Sequence, residues 1–190
     1  MSKPTLPVAT LIGALAVSIV SGVSAAVLLE PAIESVGAFF EGGVLELLGP
    51  FAVTAGLLFG LLGGAFIVKG LGGTASTAVI FLLTSVIGMM AAVYVAIVGY
   101  DRNAETLAFP YLSASPVGAF IVATPLAVLG RFAKPWGVIG LAMVLSTIWA
   151  LIVSVVWPGD DALEIPGLAA LYVGWQAIIL TIFTVAPRKV

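Results

Sequence analysis

The chain has 190 residues, 62% hydrophobic and 8% charged, with a mean hydropathy of +1.26. An ordinary soluble domain carries about 25% charged residues, so a soluble globular enzyme is excluded. There is no Cys and no His, which removes disulfide frameworks, thiol redox pairs, Cys/His zinc sites and His-ligated haem. Seven scattered basic residues against nine acids leave no nucleic-acid footprint.

A bilayer core of about 30 Å needs about 20 apolar residues of helix. Taken in chain order, six stretches meet or approach this length: 7–29, 44–68, 75–100, 115–130, 136–157 and 167–186. They predict a single all-α domain, a polytopic integral membrane protein with six transmembrane helices and tight small-residue packing. The first stretch begins like a secretory signal, with Lys3, an apolar run and Val23-Ser24-Ala25. Its apolar run is longer than a typical signal core, so it reads as a true span.

Charge then orders the connections. Lys3, Lys69, Arg131 with Lys134, and Arg188 with Lys189 flank alternate connections. Glu30, Glu34, Glu41 and Glu46, then Asp101, Arg102 and Glu105, then Asp160, Asp161 and Glu164 occupy the others. The positive-inside tendency therefore predicts both termini on the cytoplasmic side of the cell (inner) membrane. Residues 31–43 set Ile33, Val36 and Phe40 against Glu34 and Glu41, the pattern of a short amphipathic helix at the outer interface. Residues 101–114, with Phe109, Pro110 and Tyr111, read as a loop over the bundle mouth. Tyr100 and Trp157 fall at an outer aromatic belt and Trp136 at an inner one.

Two spans carry helix breakers. Gly49-Pro50 opens the second, and Thr124-Pro125 lies inside the fourth. Proline removes a backbone donor and kinks or weakens the turn before it. Such breaks serve substrate sites in some transporters and are ordinary kinks in many membrane helices.

Small residues recur every fourth position. The ladders are Ala14/Ser18/Gly22/Ala26, Ala52/Gly56/Gly60/Gly64, Thr84/Gly88/Ala92/Ala96 and Ala142/Ser146/Ala150/Ser154, with a shorter Ala119/Ala123/Ala127. This spacing lets helix backbones approach closely. Gly56, Gly60 and Gly64 are the leading helix-interface residues, within the monomer or towards a second copy or another membrane subunit.

No Asp, Glu, Lys or Arg lies near the centre of a span. Intramembrane charges mark ion paths, proton relays and voltage sensors. Intramembrane proteolysis needs a catalytic acid pair, a Ser–His pair or a metal motif. None is present, so no catalytic residue, metal ligand or cofactor site is expected, and the chain reads as a non-enzyme. What lies at depth is neutral: Ser18, Thr54, Thr84, Ser85, Thr124, Ser146, Thr147 and Gln176, with Trp149 and Trp175 at the same level. These groups suit a path for a small neutral solute, or hydrogen-bonded joints between helices. Gln176 stands out because its amide is costly to bury unpartnered. Glu46 is a candidate at the outer mouth, or simply a first-turn carboxylate favoured by the helix dipole. The sequence thus predicts a channel or transporter component for a neutral or weakly polar solute. The alternative is a non-catalytic subunit of a larger membrane complex, held through small-residue faces.

Overall fold

A computed structural model describes residues 8–40, 43–102, 108–129, 132–158 and 164–187, with the side chains of 100–111 excepted. Glu41, Asp160, Asp161, Arg131, Arg188 and Lys189 therefore lie outside the described residues, as do Lys3 and Glu105. The chain is all-helical in its long elements. These are α1 (Val8–Ala32), α2 (Val44–Phe51), α3 (Leu58–Leu71), α4 (Ala75–Arg102), α5 (Ala108–Leu129), α6 (Pro135–Val156) and α7 (Ile165–Val185). A π-helical stretch, Ala52–Leu57, joins α2 to α3, and another, Ile33–Gly37, prolongs α1. Six helical segments are long and apolar enough to cross a membrane: Val8–Gly37, Val44–Leu71, Ala75–Gly99, Leu112–Leu129, Pro135–Val156 and Ile165–Val185.

The ends of these helices follow their sequence. Thr74 caps α4, its hydroxyl accepting the Thr77 N–H at 3.2 Å. Gly72 closes α3 in the left-handed region at φ 67°, a conformation that favours glycine. Pro135 and Pro166 stand in the first turns of α6 and α7, where a missing N–H costs nothing.

Proline acts differently in the second span from what a simple kink implies. Pro50 lies inside α2, and the π-helical stretch follows it directly. Its missing N–H removes the donor that would ordinarily close this turn as α-helix. The Thr54 hydroxyl donates to the Pro50 carbonyl at 2.8 Å. In α5, Pro116 and Pro125 are both accommodated inside one continuous helix.

Two connecting segments depart from expectation. Residues 31–40 do not form a separate surface helix: they carry α1 onward through Pro31 and the π-helical stretch. The first span thus reaches 30 residues, a rise of about 45 Å. Ser35 supports the extension, donating to the Pro31 carbonyl at 2.7 Å. Likewise, the chain is already helical from Ala108, where a loop to residue 114 was expected. A proline close to a helix start, as at Pro110, is compatible with helix.

The spans close into a ring. The first span packs on α7, α7 on α6, α6 on α5, α5 on α4, and α4 on the second span, which returns to α1. Gly56 meets Ser85 and Val86, Gly60 meets Leu82, and Gly64 meets Ala78, so α3 and α4 run antiparallel. Ser21, Gly22 and Ala26 similarly pair with Gln176, Val173 and the Leu168/Tyr172 cluster. Large apolar side chains face outward at helical spacing, as with Ile12, Leu15, Ile19 and Val23 on α1 and Leu141, Val144, Ile148 and Val155 on α6. An outward apolar face and an inward small-residue face are what a helix needs between lipid and a tight neighbour.

Candidate functional site

The interior is built at the centre of this ring. Phe59 and Phe81 are fully buried, with ring centroids 5.0 Å apart, and Phe59 meets Trp175 at 5.7 Å, both pairs edge-to-face. Glycines make room for these rings. Phe81 lies where a side chain on Gly63 would have to go. The Trp175 ring lies 3.4 Å from the place of a Cβ on Gly118. Edge-to-face pairs of this kind add about 0.5–1.5 kcal/mol beyond their area burial.

Behind Trp175 on the same helix sits Gln176, with no exposed surface. Its amide meets the Ser21 hydroxyl of α1 in a very short contact, and its Nε2 has no partner. Ser21 also lies 2.7 Å from the Val17 carbonyl. A hydroxyl has a single proton, so it cannot donate fully to both oxygens. Turning the amide over would let Ser21 accept from the Gln176 nitrogen and donate to Val17. The Gln176 oxygen would then take the unpartnered place. In either orientation one polar atom of this amide is buried without a partner. Such a group costs about 1–3 kcal/mol.

The other polar residues at depth divide into three kinds. Ser18, Thr54, Thr84 and Thr147 donate to carbonyls one turn back on their own helices, at 2.8–2.9 Å. They satisfy themselves and present little to a path. Ser115 and Trp149 join helices: Ser115 donates to the Ser146 carbonyl at 2.8 Å, and the Trp149 indole N–H donates to the Ala170 carbonyl at 3.0 Å. Finally, the hydroxyls of Ser85, Thr124 and Ser146 are buried without partners. They lie on α4, α5 and α6, and with Gln176 on α7 they put an unsatisfied polar atom on each of four successive spans.

Ser115→Ala should lower stability by about 0.6 kcal/mol, the average measured for hydrogen bonds between membrane helices. Thr147→Val should cost less, because its bond stays within its own turn. Thermal unfolding of the purified variants in one detergent checks the ranking.

The Gly56, Gly60 and Gly64 face is occupied by α4 of the same chain. Gly22 receives Val173 of α7, and Gly88 receives Val122 and Gly118 of α5. The ladders thus run along joints inside the ring.

The charged residues separate by end. Glu30 and Glu164 line one groove of about 480 Å³ between the end of α1 and the start of α7, together with Leu29, Ile33 and Pro166. Glu46 stands in the first turn of α2, near Gly37. Lys69 and Lys134 lie at the opposite end of the bundle, in the last turn of α3 and just before α6. Among the described residues no group of three or more acids is placed to hold a metal ion.

Ser21, Phe59 and Phe81 were not singled out by the sequence reading. Ser21 is one turn beyond Ser18 and directly before Gly22, so the small-residue face of α1 held the clue. An apolar ring in an apolar span gives no comparable signal.

The fold and site thus define a class, an all-helical chain with six helices long and apolar enough to span a membrane. Comparison with family models, curated proteins and solved structures finds no match to it.

Proposed function

We propose that this chain is a small channel or transporter component for a neutral or weakly polar solute, in a closed conformation. The observation that carries this reading is the buried, half-unpartnered amide of Gln176, set in the joint between α1 and α7 beside Ser21. A purely structural core gains nothing from it, since an apolar residue of similar shape avoids the cost of an unmade hydrogen bond. A solute bearing a donor or acceptor would complete it. The absence of charged residues near the centre of any span favours an uncharged solute. Acids at one end and lysines at the other support both termini on the cytoplasmic side of the cell (inner) membrane, by the positive-inside tendency. In this reading the chain is not an enzyme and needs no cofactor. Its surroundings are the lipid bilayer and, where it oligomerises, further copies of itself.

The second reading is a non-catalytic subunit of a larger membrane complex. The closed centre favours it, since aromatic rings fill the middle of the bundle. Against it, the small-residue ladders that would seat a partner helix are taken up inside the chain. Native mass spectrometry of the assembly, extracted in mild detergent from its own membrane, separates the two. The transport reading expects copies of this chain alone, with or without a bound small molecule. A stoichiometric foreign subunit would establish the second reading instead.

A further inference from the structure

We propose that the groove between the end of α1 and the start of α7 binds a lipophilic amine, an ammonium cation carried directly on an apolar tail. This site is separate from Gln176 and does not depend on the transport reading. The groove holds about 480 Å³, within the usual range of small-molecule sites, about 300–1,000 Å³. α1 and α7 run antiparallel, with Ser21 at Gln176 and Gly22 at Val173. Continuing that register brings Glu30 level with Glu164. At helical rise Glu30 stands about 33 Å along α1 from Val8, close to the thickness of a bilayer's hydrocarbon core, about 30 Å. The two carboxylates therefore mark a rim where hydrocarbon gives way to water. Ala26 and Leu168, each one turn deeper, are buried together with Leu29, and Ile165 is exposed beside them. The groove is thus acidic at its mouth and apolar in its depth.

Charge selects the occupant. Both carboxylates are exposed, and the described lysines, Lys69 and Lys134, lie at the opposite end of the bundle. Among the described residues that line the groove there is no Lys or Arg. Two carboxylates above an apolar floor complement a cation joined to hydrocarbon. They repel a carboxylate or phosphate, and no cation in the lining offsets that repulsion. An ammonium headgroup linked to its tails through a phosphate therefore fits less well than a simple alkylamine.

Photo-crosslinking tests the site. The full chain in phosphatidylcholine nanodiscs is labelled with an octylamine bearing a diazirine in its tail, and the modified residues are mapped by mass spectrometry. Labelling should saturate and fall on residues 26–33 and 164–168, the segments that line the groove. Octylamine should compete. Octanol and octanoate, which share its tail, should compete at least about tenfold more weakly, and so should phosphatidylethanolamine. Glu30→Gln and Glu164→Gln should each weaken octylamine binding by about threefold, within the range of exposed ion pairs. The double variant should lose about tenfold, as the two effects add. Glu34→Gln removes an exposed acid of the same extension that does not line the groove, and should bind like the wild-type chain. Label spread over all exposed apolar helix faces, competition by octanol equal to that by octylamine, or unchanged binding in the double variant would overturn the site. Phosphatidylethanolamine competing as strongly as octylamine would overturn the simple amine as occupant in favour of a lipid headgroup.

Discussion

Gly60→Leu is expected to break the bundle apart at the α3–α4 joint. A Cβ at residue 60 would sit 2.6 Å from Leu82 Cδ1, 2.8 Å from Leu82 Cα and 3.1 Å from the Leu82 carbonyl oxygen. The first neighbour can rotate away, but the other two are backbone. The two helices must therefore move apart, and every contact along the ladder loosens with them. The cost should be at least about 3 kcal/mol, the upper end for overpacked interiors. Gly22→Leu should behave alike, since its Cβ would meet the Val173 backbone nitrogen at 2.7 Å. Gly140 supplies the contrast, having nothing within 4 Å. Gly140→Ala should be neutral or stabilising by up to about 1 kcal/mol, the helix preference of Ala over Gly. Thermal unfolding in one detergent, with size-exclusion profiles, checks all three. Equal effects at Gly60 and Gly140 would mean that the α3–α4 joint is not packed as described.

The second large effect separates stability from transport. Gln176→Leu should leave the fold intact or stabilise it by about 1 kcal/mol, because it removes a buried polar atom with no partner. Ser21 loses little, since the Val17 carbonyl remains 2.7 Å from its hydroxyl. Solute flux should nevertheless fall by about tenfold, the equivalent of one lost hydrogen bond of about 1.4 kcal/mol to the passing solute. A structural joint would show the reverse pattern, with lower stability and unchanged flux. Gln176→Glu adds a further check. An isolated charge at this depth is strongly disfavoured, so this variant should express poorly or unfold at neutral pH.

Much of the fold was legible because it rests on simple lengths. Runs of about 20 apolar residues can do little else but span, and the observed helices match the expected stretches closely from Val44 onward. The edges that differed involve proline. Pro31 and Pro110 look like punctuation in sequence, yet the helices run through or begin just before them. A proline disturbs chiefly the turn preceding it, and packing can supply what that turn lacks. The ladders announced close packing by their spacing, but spacing does not say which neighbour fills a groove. Only the contacts of Gly56, Gly60 and Gly64 with Ser85, Leu82 and Ala78 show that the partner is α4.

The candidate site was legible where chemistry contrasts with its surroundings. Gln176 is the one amide among the residues picked out at depth, and a buried amide in an apolar helix demands an account. Thr54, Thr84 and Thr147 share its depth but bond back to their own helices, a choice that composition and spacing do not reveal. Phe59 and Phe81 were invisible for the opposite reason. The sequence also offers Phe39 and Phe120, which are exposed, and nothing in residue type distinguishes those that face inward.

On the transport reading, this chain alone carries a neutral solute past Gln176. Stopped-flow light scattering on phosphatidylcholine vesicles holding only the purified chain, challenged with glycerol and then with urea, tests it most directly. Faster relaxation than in protein-free vesicles is expected for at least one of the two solutes, with the increment lost in Gln176→Leu. Wild-type vesicles that relax like protein-free ones with both solutes would contradict it.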